Sequence, residues 1–208
     1  MKPILVTYAT MAGSTAEVAR AVAEELGRAG LAVDVRPMAE VEDVGRYAAV
    51  VTGGPMIMGW HRQARAFLRQ HRDDLRHVPL AVFVLAISLT ETGERVVGGL
   101  LVVVDPALPK PPATPGRLSF RERYAQLGRY VGPILAAARP ARPVSVGVFG
   151  GRLTLGGLPW WAMLFVALVI QAPAGDKRNW EAIRGWAAGL PGLLVGENAT
   201  AEYADFAD

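Results

Sequence analysis

The stretch that decides the fold is ILVTYATMAGSTAEVARAVAEEL, Ile4 to Leu26. It opens as a short apolar run rich in β-branched residues and breaks at a turn of small residues, Thr10-Met11-Ala12-Gly13-Ser14-Thr15. It then places apolar residues at 18, 19, 22, 23 and 26, the spacing of one helical face. Gly27 to Gly30 (GRAG) ends that helix, and a second strand is expected over Ala32 to Arg36. Strand, turn, helix and strand within about 30 residues make a βαβ unit.

Working outward, further strands are expected at Tyr47 to Thr52, Pro79 to Ile87 and Pro143 to Phe149. The run PLAVFVLAI (79–87) is apolar almost throughout, which suits a parallel strand covered on both faces. Helices are expected from about Trp60 to His77, over Phe120 to Ala138, and from about Asn179 to Gly189. Five strands alternating with helices predict a doubly wound five-stranded parallel sheet with helices on both faces. Residues 91–118 interrupt the alternation. Five prolines between 106 and 115 exclude a regular helix or a central strand there, so this segment is an insertion after the fourth strand. Within it, Val96 to Val104 either joins an apolar surface or pairs as an extra strand. A single domain is expected over 1–196, followed by an acidic, flexible tail over 197–208.

Composition narrows the chemistry. The 208 residues are 51% hydrophobic, enough to bury a core. Cysteine is absent, which removes disulfides, thiolate metal sites and a cysteine nucleophile. A net charge of +3 is too small to indicate nucleic-acid binding, and no nucleic-acid partner is expected. The three histidines, His61, His71 and His77, show no metal-ligand spacing, so no metal site is expected. His71 and His77 are expected on a helix surface; donation from His61 to a ligand is the lesser of its readings. The four serines sit in no GxSxG elbow, which leaves hydrolase chemistry without support. The opening sequence carries no secretory pattern, compatible with a cytoplasmic protein. The apolar run Leu158 to Ile170, 13 residues with two tryptophans near its start, is too short to span a bilayer. It is a buried helix, a membrane-interface helix or a subunit contact, and a homodimer is one expectation.

The turn at 10–15 ends a strand at the edge where doubly wound sheets bind ligands. A helix N-terminus offers free N–H groups and the positive end of the helix dipole, and Thr10, Ser14 and Thr15 add hydroxyls. The turn contains no lysine or arginine, and the chain lacks both GxxxxGK[ST] and a GxGxxG fingerprint. Asp34 therefore has little claim as a ribose ligand. Two readings stay open for the turn itself: a cradle for one terminal phosphomonoester, or an ordinary strand-to-helix turn with Ser14 as cap.

Tyr8-Ala9-Thr10-Met11-Ala12-Gly13-Ser14-Thr15, followed by Ala19 and Val22, resembles the FMN phosphate loop of flavodoxins. The segment VVTGGPMIMGWHRQARAFLRQH (50–71) resembles the second flavin loop of the flavodoxin-like menaquinone-dependent protoporphyrinogen dehydrogenases. Phe149 to Leu153, the Trp160-Trp161 segment and Gly175 to Trp180 resemble the C-terminal third of that family. The resemblance implies a flavodoxin-like fold and non-covalent FMN. It places the phosphate on Thr10, Met11, Ala12, Gly13, Ser14 and Thr15. It sets Pro55, Met56, Ile57, Met58 and Gly59 along one edge of the flavin, and Ser88, Leu89 and Thr90, with Gly151, along another. Flavodoxins usually stack aromatic residues on the flavin, whereas these loops are aliphatic and methionine-rich, with Trp60 only after the glycine.

By the same resemblance the chain is an FMN-dependent oxidoreductase. Electrons would pass from a reduced small molecule, a porphyrinogen, through FMN to a quinone or a protein partner, with peripheral contact at the inner face of the membrane. The alternatives are an electron carrier without its own substrate and a binding module that has lost FMN. No residue presents itself as a general base, so chemistry would reside in the flavin. Arg62, Arg65, Arg69, Arg72 and Arg76 recur at spacings of 3 and 4 on one side of the expected helix, with Phe67, Leu68 and Leu75 beside them. This is either a solvated surface or a basic strip for lipid headgroups or porphyrin carboxylates. Asp176, Arg178 and Trp180 are expected to start the last helix, with the tryptophan facing inward.

Overall fold

The computed structural model describes residues 2–56, 59–153 and 175–196. The expectations for Ile57 and Met58, for the apolar run at 158–170 and for the tail at 197–208 fall outside them.

The opening stretch folds as its periodicity requires. Strand β1 (Ile4–Tyr8) is followed by helix α1 (Ser14–Arg28) and strand β2 (Val33–Pro37). Strands β3 (Ala49–Pro55), β4 (Leu80–Ala86) and β9 (Ser145–Gly150) complete a parallel core in the spatial order β2-β1-β3-β4-β9. Register is set by the alternation of side chains. Ile4 and Val6 point to one face of the sheet and Leu5 to the other, so a slip of one residue would exchange the two cores.

One core lies between the sheet and helices α1 and α5 (Trp180–Ala188), built on Val6, Phe83, Phe149, Val22 and Ile183. Trp186 of α5 packs on Phe83 and Phe149 and donates its indole N–H to Ser145 Oγ at 2.9 Å. The other core lies under helices α2 (Arg62–Gln70) and α4 (Leu127–Ala138), with Leu68, Val84, Val148 and Ile134 at its centre. A one-turn helix, α6 (Pro191–Leu194), closes the described chain.

The insertion extends the sheet. It contributes β6 (Val96–Val97) and β7 (Leu100–Val104), joined by a tight turn at Gly98-Gly99. Strand β7 pairs parallel to β9, and β6 forms the outer edge, making seven strands around the expected five. The proline-rich half turns back instead, as β8 (Pro109–Lys110) pairing with β5 (Leu89–Thr90).

Two expected helices are shorter than their periodicity. The one after β3 ends at Gln70, and Asp74–Arg76 forms a separate 3₁₀ turn. Asp73-Asp74 is a weak helical pair, and Pro79 holds the residue before it extended. Arg62, Arg65 and Arg69 therefore share α2, while Arg72 and Arg76 lie beyond it. The expected helix over 120–138 splits into α3 (Phe120–Tyr124) and α4. Ser119 and Glu122 cap α3 reciprocally, and the break frees the Ala125 carbonyl to accept from Thr90 N at 2.8 Å.

Candidate functional site

The turn at 10–15 lies where β1 ends. Ala9 N donates to Gly53 O at 2.9 Å, which ties the turn to β3. Thr10 Oγ1 accepts from Gly13 N at 2.9 Å and closes the loop on itself. Gly13, not Ser14, occupies the cap position, in the left-handed conformation at φ 82°, which any side chain would strain. Among the described residues no side chain caps α1, so its first N–H groups and its positive dipole end face the turn. The Thr15 hydroxyl is buried and has no hydrogen-bond partner among the described residues. An open helix end beside an unsatisfied buried hydroxyl differs from the capped turn that was the alternative. Met11 at the tip of the loop is 63% exposed.

The second loop begins at Pro55. Met56 is buried, bridges to Trp60, and donates its N–H to Leu85 O at 2.8 Å. Trp60 is 2% exposed and its indole N–H reaches Gly54 O at 3.3 Å, so the ring fills the core below the loop and does not lie over it. An aromatic comes from elsewhere: Tyr124 of α3, 38% exposed, has its hydroxyl 3.9 Å from where a Cβ on Gly59 would stand. Burial raises the Tyr124 pKa, with the charge of Arg65 opposing it. Nothing in the spacing of the chain linked residue 124 to residue 59; only the break between α3 and α4 brings them together.

The third loop is held by the insertion. Leu89 and Thr90 are buried in the pairing with Pro109 and Lys110, while Ser88 is exposed and its carbonyl accepts from Tyr130 Oη at 3.1 Å. Burial pushes the Tyr130 hydroxyl up to about 12. Lys177 Nζ donates to Ile87 O at 3.3 Å, and burial lowers its pKa. Gly151 N donates to Ala86 O at 2.8 Å, and Gly151 O accepts from Lys177 N at 3.0 Å. A Cβ on Gly150 would stand 1.9 Å from Lys177 O, so only glycine lets the C-terminal segment cross the sheet here.

Sequence reasoning missed Asp105, a buried carboxylate of the insertion. It accepts from Ala107 N at 3.0 Å, Gly150 N at 3.3 Å and Asn179 Nδ2 at 3.0 Å. Asn179 in turn caps α5 through Ala182 N. The start of that helix differs from expectation. Asp176 belongs to strand β11 (Gly175–Asp176), paired antiparallel with β10 (Arg152–Leu153), and Trp180 is half-exposed beneath the Arg178 guanidinium at 4.6 Å. Trp186 is the inward-facing aromatic of α5. Asp34 is taken by Arg36 Nε at 2.7 Å and Tyr47 Oη at 2.8 Å, a strand-edge network away from the site.

Beside the first two loops, Met11, Pro55, His61, Arg62, Arg65 and Arg69 line an open groove. Among the described residues no carboxylate pairs with these three arginines. His61 Nδ1 is buried without a partner among the described residues, and burial lowers the pKa of the ring. His71, expected on a helix surface, is buried instead, its ring 4.7 Å from Phe67. The last turn of α2 folds inward there because His71 N and His71 O both continue the helical bonding, to Phe67 O and Leu75 N. His77 is exposed as expected.

The residues present fit FMN at its phosphate end: hydroxyls, an uncapped helix and an unpartnered buried threonine suit one phosphomonoester. Pro55, Gly59, Ser88 and Gly151 border the same edge of the sheet as this cradle, at the carboxyl ends of β3, β4 and β9. The strand order and the site edge define a flavodoxin-like α/β protein. The flavodoxin domain family profile matches residues 5–179, and the chain belongs to that family, whose cofactor is FMN.

Solved structures similar to the chain include three flavodoxins. One from the domain Archaea is 17% identical, covering 42% of this chain and 64% of its own, with a TM-score of 0.38. Flavodoxin 2 from Bacillus cereus is 23% identical, covering 41% and 62%, with a TM-score of 0.34. That from Megasphaera elsdenii is 11% identical, covering 89% and 98%, with a TM-score of 0.46. The matches thus span less than two thirds of the archaeal and Bacillus proteins. Comparison with curated proteins gave no match. Among the described residues, no helix is long and apolar enough to cross a membrane.

Proposed function

We propose that this protein is an FMN-dependent oxidoreductase similar to the quinone-linked protoporphyrinogen dehydrogenases. The observation that carries the reading is the basic groove of Arg62, Arg65 and Arg69, which opens directly beside the FMN loops at Met11 and Pro55. Three guanidiniums without carboxylate partners among the described residues suit a substrate bearing carboxylates, because arginine pairs them bidentately. FMN, when bound, supplies the electron-transfer chemistry.

The protein's own residues then have positioning tasks. Thr10, Gly13, Ser14 and Thr15 take the phosphate. Pro55, Met56 and Gly59 form one border and Ser88 and Gly151 another. Leu89 and Thr90 act from below by fixing the third loop to the insertion. Tyr124 offers the aromatic ring that the loops themselves lack. His61, whose pKa burial lowers, lines the groove and offers its buried Nδ1 for proton transfer. A quinone acceptor and peripheral contact at the inner face of the membrane belong to the same reading, as does a cytoplasmic location.

The test is an absorption spectrum of the purified protein with added FMN, followed by anaerobic mixing with protoporphyrinogen and a soluble menaquinone analogue. Flavin binding with turnover is expected, and Arg65→Ala should raise KM more than it lowers kcat. Flavin binding without turnover would leave a carrier, and no flavin binding would leave a binding module.

A further inference from the structure

The phosphate turn contains no cation, yet one carboxylate stands in the first turn of its helix. Glu17 lies in the first turn of α1, where an unpaired negative charge would oppose a bound phosphate. Both of its oxygens are occupied by residues far along the chain: Oε2 accepts from Arg178 Nη1 at 2.7 Å, and Oε1 meets Arg152 Nη2 at 3.1 Å. Arg178 Nη1 also reaches the Ser14 carbonyl at 3.4 Å, inside the cradle's own backbone. The Arg178 side chain is only 3% exposed. Asp176 holds its far side through Nε at 2.8 Å, and Trp180 lies against its face. The pairing of Arg152 with Asp176 across β10 and β11 delivers both guanidiniums to the same place.

We propose that Arg178, acting with Arg152 on Glu17, is a positioning residue for the phosphate cradle and makes the site select a phosphorylated flavin over its unphosphorylated counterpart. The inference rests on the FMN reading above. Two arginines and two carboxylates, Glu17 and Asp176, make the cluster neutral, so the helix end faces the phosphate without opposition. Removing Arg178 leaves two carboxylates against one arginine and frees the Ser14 carbonyl from its only side-chain anchor among the described residues. The penalty falls on a ligand that carries a phosphate dianion and spares one that does not.

The experiment titrates the full chain with FMN and with riboflavin, following flavin fluorescence. Arg178→Met should weaken FMN by about tenfold or more, the scale of a lost charge-assisted hydrogen bond, with riboflavin binding unchanged. Adding Glu17→Gln to that variant restores neutrality and should recover most of the FMN affinity, which a purely architectural role would not allow. Glu17→Gln alone, which keeps both arginines, should bind FMN at least as tightly as the natural chain. Equal FMN binding by Arg178→Met, parallel loss of both flavins without recovery in the double variant, or weakened FMN binding by Glu17→Gln alone would each overturn the proposal. If the unaltered protein binds neither flavin, the FMN reading itself fails and takes this inference with it.

Discussion

At the scale of single residues, the strongest constraints are polar groups buried far from their sequence neighbours. Asp105 satisfies two backbone donors and the Asn179 amide, so Asp105→Ala strands them all. A loss of about 2 kcal/mol or more is expected in urea unfolding, from donors left unsatisfied. His71 sets a pH dependence. Burial is the main cause of its lowered pKa, opposed by Asp74, the Val41 backbone and Asp43. As pH falls through about 6.5, the unfolded chain takes up a proton that the folded chain refuses, so stability declines until the folded pKa is reached. His61 acts in the same direction. Thermal melts between pH 7.5 and pH 5 should show this slope at about the scale of pH units, and His71→Phe should flatten it. Arg178 lowers the Glu17 and Asp176 pKa values, so their contribution is intact above the ordinary carboxylate range and lost below it. The long-range parts of these networks were not legible in the sequence, because Gly150 and Asn179 come to Asp105, and Arg152 and Arg178 to Glu17, through the packed fold and not through local spacing. The turn at 10–15 was legible, because its strand, its hydroxyls and its helix are contiguous.

At the scale of elements, periodicity told more than composition. Strand β4 and helix α1 were read to within a residue or two, because α1 buries one face at helical period and β4 is apolar and buried along its whole length. Helix α4 shows the limit. Pro133 sits in its interior and removes the donor that would meet the Arg129 carbonyl, yet the buried face of Tyr130, Ile134 and Ala137 holds the helix together. Pro133→Ala should therefore stabilise the protein, by about 1–3 kcal/mol as the helix regains a hydrogen bond, measured as a shift in the urea midpoint. Strands β6 and β7 were left between two readings by their sequence. A run such as VVGGLLVVV pairs wherever an edge is open, and only the finished sheet shows that β9 offers one.

At the scale of the whole molecule, the proposed site is assembled from segments spread from residue 10 to residue 151, so its occupancy and the fold's stability are linked. FMN at about a hundred times its Kd should add about 2.7 kcal/mol to unfolding. Differential scanning calorimetry with and without FMN would read this as a rise in Tm, and an unchanged Tm would count against a preformed site. The outer border of the sheet has a different consequence. The unpaired backbone there belongs to β6, two residues long and running against its neighbour, so it offers little template for strand addition by another chain. Beside that short edge, Val96, Leu101 and Val103 stand exposed. The insertion that interrupts the alternation of strand and helix thus shields the β9 side of the sheet from strand addition, while β2 forms the opposite border.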